Sequence, residues 1–409
     1  MGQTGPDREA AMPGSVNYVS TLPRKADLVI IGGGVVGAAT AFFAARAGLR
    51  PLLLERRRAL CTLTTPASTG AFRLQFDNRE ELELVRESVA LFLNFSEVTQ
   101  QSSYDIMIRQ QGYLWLTADE KRAVQQRSLV ADQHGWGQDD IELLSGDEVR
   151  RRWPYAGGNV LQGRFRAGDG FLDPKQLTMG LVAGSGASVA VGCEVLGFGP
   201  GARLTRVRTS WGNVDTPAAV IAAGPFSGVV ASFAHLELPL RTVARHKVIV
   251  PDLPAVPQDA PMTIDDDTGA HWRPALKGAF LLYTDPATPG SAPAEDVAPD
   301  HRFALSLLDP SSPVSVARVA PFWHAVWSRN DVVWTMQSGQ YTMTPDHRPL
   351  LGETGLPGLY VNSGYSGHGI MGAPAGSRHL VDVMTGRIAP ADNAFRPDRS
   401  FEQRRLDLL

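Results

Sequence analysis

The sequence contains few of the residues that build disulfide frameworks and metal centres. Its 409 residues include two cysteines, Cys61 and Cys193, which lie far apart and outside any C-x-x-C pair. This number and spacing exclude a disulfide framework and a cysteine zinc site, and we expect no bound metal. Few and unpaired cysteines are typical of reducing compartments, so we expect a cytoplasmic location.

The sequence also lacks a strong charge of one sign and any internal repeat. The 39 Lys and Arg residues nearly balance the 42 Asp and Glu residues, which leaves a net charge of -3. No long basic stripe interleaved with aromatic residues occurs, so we expect no nucleic-acid partner. With 43% hydrophobic and 20% charged residues, the composition is that of a globular protein, and the length allows two domains.

One long charge-free run is present, the eighteen residues 28–45 (LVIIGGGVVGAATAFFAA). Its length and a preceding basic pair are compatible with a signal or membrane segment. However, four glycines lie inside the run, and each glycine in a helix interior costs roughly 1 kcal/mol relative to alanine. We therefore favour a phosphate-binding segment and expect no membrane association.

The run divides naturally into a strand, a turn and a helix. Residues 26–31 predict a short strand, residues 32–37 (GGGVVG) fit G-x-G-x-x-G, and residues 35–46 predict a buried helix. A second strand at 51–54 ends in Glu55, 23 residues after the first motif glycine. This order is typical of a dinucleotide-binding βαβ unit, in which the acid accepts a ribose hydroxyl.

The motif glycines have separate tasks in such a unit. Gly32 permits the tight turn, Gly34 lets the backbone approach a pyrophosphate, and Gly37 lets the helix contact the strand. The helix N-terminus adds N–H donors and the positive end of a dipole. The cofactor contacts predicted in this unit are Gly32, Gly34, Val35, Val36, Gly37, Glu55 and Arg56.

The chain carries a second glycine-rich junction near its end. A strand at 359–362 leads into a loop with Gly364, Gly367 and Gly369 and then into a helix that reaches Met384. Two such junctions, far apart in sequence, indicate that one extended ligand is bound from both ends of the chain. This favours FAD over NAD, with the pyrophosphate at the first helix and the N1/C2 edge of the flavin at the second.

Between the junctions the pattern alternates helices and strands. It predicts a helix over 78–98 with Asn78 and Glu81 in a capping box, a strand over 106–116 and a helix from 117 onward. Residues 189–195 and 204–209 predict a small β-meander. The stretch 218–227 (AAVIAAGPFS) predicts a strand whose tip has no side chains, either to accommodate a flat ligand or to form a tight corner.

At these residues the sequence resembles the flavin-dependent amine and amino-acid oxidoreductases of the D-amino-acid-oxidase type. They include glycine oxidase, sarcosine oxidase, dimethylglycine dehydrogenase and the β-subunits of proline dehydrogenases. The resemblance covers about residues 26–401, and its specific parts are the first glycine motif, FLDP, AAGPFS, YTMTPDHRPLLGE, GLYVNSGYSGHGIMGAP and RPDRSF. It implies an α/β fold: a Rossmann-like FAD-binding domain and a large, mostly antiparallel sheet that roofs the flavin and forms the substrate domain.

The resemblance also implies a division of the chain and further cofactor contacts. The predicted segments are a mobile extension (1–25), a discontinuous FAD-binding domain (26–93, 151–235 and 336–395), a substrate domain (94–150 and 236–335) and a tail (396–409). The further contacts are Ser68, Thr69, Ala223, Gly224, Gly339, Gly364, Ser366, Gly367, His368, Gly369 and Ile370.

Departures from the family pattern concern flavin attachment and the electron acceptor. Gly339 stands where sarcosine oxidase has the cysteine that bonds its flavin, and the early loop STGAFR lacks the histidine used by dimethylglycine dehydrogenase. We therefore predict non-covalent FAD. Met371 replaces a lysine of sarcosine oxidase, and GAFLLYTDP contains no lysine, so oxygen and an electron-transfer partner both stay open as acceptors, as do a partner subunit and the oligomeric state.

Four residues are candidates for direct roles with the substrate. Arg273 is placed to bind a carboxylate, the alternative being a surface arginine. Arg73 is expected to face the flavin or the substrate, the alternative being a structural salt bridge. His368 lies in the flavin-edge loop, and Tyr341 contributes either to an aromatic wall, with Tyr365, or to core packing. By contrast, His246 is expected to be a satisfied sheet histidine, and Asp346 is expected to fix the turn beside the flavin.

The sequence thus predicts an FAD-dependent oxidoreductase that oxidises the C–N bond of an amine or amino acid. A hydride passes to flavin N5, and the resulting imine is hydrolysed. The substrate class is a small secondary amine or an N-methylated, cyclic or simple amino acid. One alternative is oxidation of a 2-hydroxy acid, with His368 or His246 as base, and another is a non-catalytic flavoprotein with a structural or assembly role.

Overall fold

Two large sheets organise the protein, and the computed structural model describes residues 14–401. Residues 1–13 of the predicted extension and residues 402–409 of the predicted tail lie outside the described residues. The first sheet has seven strands in the order β1-β9-β3-β2-β13-β20-β19, and the second has eight in the order β18-β14-β17-β16-β15-β5-β7-β6. A three-stranded and a two-stranded sheet, β10-β11-β12 and β4-β8, complete the β-structure.

The strands, in chain order, are β1 (Asn17–Tyr18), β2 (Leu28–Ile31), β3 (Pro51–Glu55), β4 (Ala71–Phe72), β5 (Tyr113–Thr117), β6 (Glu142–Ser145), β7 (Gln162–Arg166), β8 (Gly170–Phe171), β9 (Ser188–Val191), β10 (Val195–Phe198), β11 (Arg206–Thr209), β12 (Gly212–Asp215), β13 (Ala219–Ile221), β14 (Arg241–Val250), β15 (Met262–Asp265), β16 (His271–Ala275), β17 (Gly278–Leu282), β18 (Thr335–Met343), β19 (Leu350–Glu353) and β20 (Leu359–Ser363). The helices are α1 (Val35–Arg46), α2 (Thr64–Ala67), α3 (Arg79–Leu93), α4 (Phe95–Thr99), α5 (Glu120–Gly135), α6 (Gly146–Arg152), α7 (Pro174–Ser185), α8 (Ser227–Ser232), α9 (His301–Leu308), α10 (Phe322–Trp327) and α11 (Gly369–Met384).

The seven-stranded sheet lies in the middle of a three-layer unit. Successive side chains of a strand point to opposite faces, and every residue of β2 is buried. Leu28 and Ile30 pack in the cluster that holds α1, α7 and α11. Val29 and Ile31 pack in another cluster with the three-stranded sheet. A continuous apolar strand is therefore required at this place, because both of its faces are covered.

The eight-stranded sheet is antiparallel except for the parallel pair β15 and β5. One of its faces is covered by α9 and α10, through a cluster that contains the fully buried Trp272 and Trp323. The predicted fold class, α/β with a large antiparallel sheet beside a Rossmann-like unit, is confirmed.

Several local predictions need correction. The helix predicted over 78–98 is interrupted at Asn94, between α3 and α4. The strand predicted over 106–116 is limited to β5, because Gly112 has a positive φ of 86° and precedes it. The predicted meander is also different, since β9 joins the parallel sheet next to β3 and the small sheet is built from β10, β11 and β12.

The predicted domain boundaries stay a prediction, although sheet membership bears on where they fall. Strands β7 and β18 belong to the eight-stranded sheet, whereas the predicted division assigns all of β7 and all but the first residue of β18 to the FAD-binding domain. Strand β1 pairs with β9, so a part of the predicted extension is attached to the parallel sheet. Among the described residues, no helix is long and apolar enough to cross a membrane.

The close contact between α1 and the turn before it predicts a large effect of Gly37→Ala. A Cβ at Gly37 would lie 1.9 Å from the carbonyl oxygen of Gly32, so we expect the free energy of unfolding to fall by about 3 kcal/mol. Gly135→Ala is the control, since nothing lies within 4 Å of its added Cβ; it should be neutral or stabilising by up to about 1 kcal/mol. Equal unfolding midpoints in urea for the two variants would contradict this packing.

Candidate active site

The turn between β2 and α1 forms an open cradle at the carboxyl end of the central strand β2. Gly32 has a φ of 119°, and a Cβ there would lie 2.4 Å from the carbonyl oxygen of Ala222. A Cβ at Gly34 would meet only Thr65 Oγ1, at 3.1 Å. Gly34 is the N-cap of α1, no acidic residue follows in the first turn, and the Val35 N–H donates to Thr65 Oγ1 at 3.2 Å. This helix end is therefore suited to bind a phosphate group.

Glu55 closes the cradle on the side of β3. Its two carboxylate oxygens accept hydrogen bonds from the N–H groups of Gly33 and Arg57, each at 2.7 Å. Burial raises the pKa of Glu55 above its ordinary value, although these two hydrogen bonds oppose the shift. The next residue, Arg56, stacks over the ring of Phe226 at 3.7 Å and pairs with Glu295.

Three adjoining cavities run from this cradle to the eight-stranded sheet. The inner cavity, lined by the cradle, Glu55 and residues 222–226, has about 970 Å³ of space. It shares Val35, Thr65 and Gly224 with the middle cavity, which lies against Gly339 and residues 362–367. The middle cavity in turn shares Ser68, Tyr341 and Ile370 with the outer cavity, which has about 1330 Å³ of space. The three form one elongated cleft.

The predicted site residues are brought together along this cleft. The inner cavity is lined by Gly32, Gly34, Val35, Val36, Glu55, Arg56, Ala223 and Gly224. The middle cavity is lined by Ser68, Gly339, Tyr341, Gly364, Ser366, Gly367, Gly369 and Ile370. The outer cavity is lined by Thr69, Arg73 and His368 in addition. Gly37 and Arg273 are not among the lining residues; Gly37 instead packs α1 against the turn.

The second glycine loop presents backbone without side chains to the middle cavity. Gly367 has a φ of 104°, and a Cβ there would lie 2.8 Å from Cε2 of Tyr341. A Cβ at Gly339 would lie 3.0 Å from the Cβ of Ala67. Helix α11 begins at Gly369 with no side-chain cap and no acidic residue in its first turn. A flat ligand can thus approach the backbone next to the positive end of this helix.

The loop between α2 and β4 is fixed by two buried cations of the eight-stranded sheet. Lys247 Nζ donates to the carbonyl oxygens of Ser68 at 2.8 Å and Pro66 at 3.3 Å. Arg273 donates from Nε and Nη2 to the carbonyl oxygen of Thr69, at 2.8 and 2.5 Å. Burial lowers the pKa of Lys247 to about 7 and that of Arg273 to about 9. Arg273 is buried and anchors a loop, which differs from both sequence alternatives, a carboxylate-binding arginine and a surface arginine.

A connected set of side chains, Glu81, His368 and Arg73, lies at the wall of the outer cavity. His368 Nδ1 is 3.1 Å from Glu81 Oε1, and His368 Nε2 is 3.5 Å from Nη2 of Arg73. These neighbours assign the proton to Nδ1 and the acceptor to Nε2. Burial opposes ionisation of Glu81, but the charge and hydrogen bond of His368 outweigh it and hold the pKa of Glu81 below its usual range.

Glu81 has a different role from the one predicted at the start of α3. Its backbone N–H donates to Asn78 Oδ1 at 2.9 Å, so Asn78 caps the helix as expected. The Glu81 carboxylate accepts from the Asn78 side chain and from His368, so the reciprocal bond of a capping box is not made. Sequence reasoning missed the contact with His368 because the two residues are 287 positions apart.

The other predicted residues have well-defined partners. The Tyr365 hydroxyl donates to Asn362 Oδ1 at 2.6 Å, and burial raises its pKa. His246 Nδ1 is 2.7 Å from Ser338 Oγ, and burial lowers its pKa. Asp346 accepts two hydrogen bonds from Arg399, each at 2.9 Å, so it fixes a turn. Tyr341 is shared by the middle and outer cavities.

Several lining residues of the outer cavity were not predicted from the sequence. They are Tyr113, Arg241, Arg245, His271 and His347. The even spacing of Arg241 and Arg245 on one strand was an available signal, because such residues share a face. His271 is kept neutral by burial, which lowers its pKa to about 4. Within residues 14–401 no cluster of three or more His, Cys, Asp or Glu side chains is suited to hold a metal ion.

The cleft fits FAD at both of its helix ends. The inner cavity combines an uncapped helix N-terminus with a carboxylate at the end of β3, which suits a pyrophosphate and a ribose. The middle cavity combines the backbone of several glycines with the N-terminus of α11. This combination suits the flat isoalloxazine ring of FAD. The outer cavity then lies where a substrate would meet that ring.

Comparison with known proteins identifies relatives over nearly the whole chain. The family model described as FAD dependent oxidoreductase (DAO) matches residues 27–383. A Xenopus laevis FAD-dependent oxidoreductase domain-containing protein 1 is 24% identical, over 88% of this chain and 79% of that protein. Human mitochondrial sarcosine dehydrogenase is 25% identical over 90% of this chain, which spans 40% of that protein's length.

Solved structures show the same fold at lower identity. L-proline dehydrogenase from P. horikoshii has a TM-score of 0.79 and 23% identity, covering 92% of this chain and 98% of its own. Glycine oxidase from Bacillus cereus has a TM-score of 0.76 and 22% identity, covering 93% of this chain and 100% of its own.

The buried, hydrogen-bonded carboxylate of Glu81 predicts a pH-dependent effect of Glu81→Gln. Because folding lowers the pKa of Glu81 from 4.5, its carboxylate contributes stability above that pH, which is lost as the pH falls through the folded-state pKa. At pH 7 we expect the substitution to cost about 1–3 kcal/mol of unfolding free energy, and the cost to shrink below pH 4.5. Glu83→Gln, in an exposed pair on the same helix, should change it by less than about 0.5 kcal/mol. A cost for Glu81→Gln that does not vary between pH 7 and pH 4 in urea titrations would refute the assignment.

The anchoring role of Arg273 predicts that Arg273→Met affects stability and cofactor retention. Thr69 would lose two donors to its buried carbonyl oxygen, so we expect a loss of about 1–3 kcal/mol in unfolding free energy. The fraction of protein that retains FAD after gel filtration should fall as well, because the loop lines the middle cavity. A stable, flavin-loaded variant with only a raised KM would instead place the guanidinium at the substrate.

Proposed function

The chain belongs to the DAO family of FAD-dependent oxidoreductases, and we propose that it oxidises the C–N bond of a small amino acid. The substrate is a secondary amine or an N-methylated, cyclic or simple amino acid. The observation that carries this proposal is the outer cavity, which adjoins the middle cavity and is lined by Arg73, His368 and Tyr341. An arginine gives a carboxylate two parallel hydrogen bonds.

The proposed division of roles follows from the positions of these side chains. FAD, when bound, supplies the acceptor for the hydride that leaves the substrate carbon next to nitrogen. Arg73 binds the substrate carboxylate. Tyr341 lines both the middle cavity, which would hold the flavin ring, and the outer cavity, which would hold the substrate. The aromatic rings of Phe76 and Trp115, at 5.0 and 5.2 Å from the Arg73 guanidinium carbon, hold its side chain in place.

We assign to His368 the proton that the substrate ammonium must lose before oxidation. Its Nδ1–H is directed to Glu81, so Nε2, which is 3.5 Å from Nη2 of Arg73, is the ring nitrogen assigned to accept the proton at the cavity wall. The Glu81 carboxylate orients the ring and stabilises it once it is protonated, as in other carboxylate–histidine pairs. Glu81 is a positioning residue, because it does not line the cavity. The same base would serve a 2-hydroxy acid, which is therefore the second candidate substrate class.

We further propose that FAD is bound without a covalent link. The described residues that line the middle cavity include no cysteine, and at Gly339 an added Cβ would lie 3.0 Å from the Cβ of Ala67 at the end of α2. The one histidine among them, His246, is hydrogen bonded to Ser338 Oγ through Nδ1. Acid precipitation should accordingly release all of the flavin into the supernatant.

The proposed function predicts anaerobic bleaching of the flavin by an amine substrate. Sarcosine, proline, pipecolate, glycine, other amino acids and 2-hydroxy acids are titrated separately, and the flavin absorbance is followed. We expect an amino acid to bleach it, and His368→Asn to slow the bleaching by about 100-fold. Admission of air then sorts an oxidase, which is re-oxidised rapidly, from a dehydrogenase. Bleaching by 2-hydroxy acids alone would favour the second substrate class, and protein purified without flavin would refute the proposal.

A further inference from the structure

Two arginines of β14 contribute positive charge to the outer cavity from the side of the eight-stranded sheet. Arg241 and Arg245 are four positions apart on this strand, so their side chains share one face. Both line the outer cavity, and Arg245 also lines the middle cavity. They come from a different part of the chain than Arg73, which follows β4. The cavity therefore has two separate sources of positive charge.

Neither of these two arginines has an acidic partner. Arg245 donates from Nη1 to the carbonyl oxygen of Ala244 at 3.2 Å and from Nη2 to that of Asp285 at 3.4 Å. Its Nε is buried without any acceptor. The carboxylate of Asp285 is near enough to favour the charged form of Arg245 electrostatically, but the guanidinium reaches only its backbone carbonyl, and the carboxylate accepts the Ala287 N–H at 2.8 Å. Among the described ion pairs, none contains the exposed Arg241 or the half-buried Arg245, and a partly desolvated guanidinium is stabilised when an anion binds it.

The surroundings of the outer cavity preserve this positive charge. Of the described residues that line it, none is an aspartate or a glutamate. Glu81 lies behind the wall and is paired with His368. Tyr341 borders the cavity, where the Arg245 guanidinium lies 5.6 Å from its ring, and Arg73 lines the same cavity, so both arginines face one ligand space. A carboxylate bound to Arg73 leaves Arg245 without a hydrogen-bonded anion in the cavity.

We propose that the substrate is a dicarboxylic amino acid, with one carboxylate on Arg73 and the second on Arg245. Arg241, whose aliphatic stem packs beside Gly290, adds a second cation at the exposed end of the same strand. This inference rests on the proposed function, because it names the substrate class for the same cavity. The second carboxylate takes no part in the oxidation; it supplies affinity and selectivity.

The test compares inert acids that differ by one carboxylate. Succinate and glutarate, with propionate and butyrate as matched monocarboxylates, are titrated into the FAD-loaded full-length protein in a calorimeter. We expect each dicarboxylate to bind at least about 10-fold more tightly than its partner, since a charge-assisted hydrogen bond in a buried site has this effect. Arg245→Met should abolish the preference by weakening dicarboxylate binding far more than butyrate binding, and Arg245→Lys should restore a part of it.

Arg302→Met is the matched control, because this arginine is exposed on α9 and does not line the cavity. It should retain the preference for dicarboxylates. Equal binding of the two acid series to the native protein, a preference that persists in Arg245→Met, or no binding of either series would each overturn the inference. A loss of FAD from Arg245→Met and Arg245→Lys alike would overturn it too, since the arginine would then serve the cofactor.

Flavin reduction separates this inference from the proposed function. If aspartate, glutamate and N-carboxymethyl amino acids bleach the flavin at concentrations about 10-fold lower than their monocarboxylic counterparts, both are supported. Equal bleaching by the monocarboxylic amino acids overturns the dicarboxylate inference and leaves the proposed function standing. Tight binding of glutarate without bleaching by any amine contradicts the proposed function, and with it the assignment of a substrate.

Discussion

The geometry of the cleft depends on the attachment of one loop to the eight-stranded sheet by two buried cations. Lys247 and Arg273 donate to the carbonyl oxygens of residues 66–69. The same loop region carries Thr65, which accepts the first N–H of α1, and leads to Arg73 at the outer cavity. A single attachment therefore positions the phosphate cradle, the wall of the ring cavity and a substrate contact together.

The choice of acceptors in this attachment has an electrostatic consequence. Backbone carbonyls carry only partial negative charge, so they orient Lys247 and Arg273 without cancelling their charge. Carboxylates in the same place would reduce the positive potential beside a cavity that is proposed to bind an anion. Burial disfavours the charged form of both side chains, and the pKa values of Lys247 and Arg273 are lowered as a result. The acid Glu81 lies behind the wall of this cavity and is hydrogen bonded to His368.

The two glycine junctions act on one ligand site because their helices are locked together. Asn362, at the end of β20, donates from Nδ2 to Thr40 Oγ1 of α1 and to Ser377 Oγ of α11, each at 3.0 Å. Its Oδ1 accepts the hydroxyl of Tyr365. All of these groups are buried, and a fully paired network of this kind fixes the relative positions of its members. The uncapped N-termini of α1 and α11 therefore meet the cleft in a defined arrangement.

The sequence by itself determined the features that depend on near neighbours along the chain. The order of strand, glycine turn, helix and acid specifies the cradle, because sterics at Gly32 and Gly37 act within a few residues, and the family motifs specify the fold and the cofactor. The tertiary structure alone decided which charges meet. Arg273 became a loop anchor, Glu81 joined His368, and Arg245 reached the cavity, because each outcome depends on which strands and helices become neighbours across hundreds of residues. Strand β9 shows the same limit, since its apolar pattern suits either sheet and only its pairing with β3 assigns it.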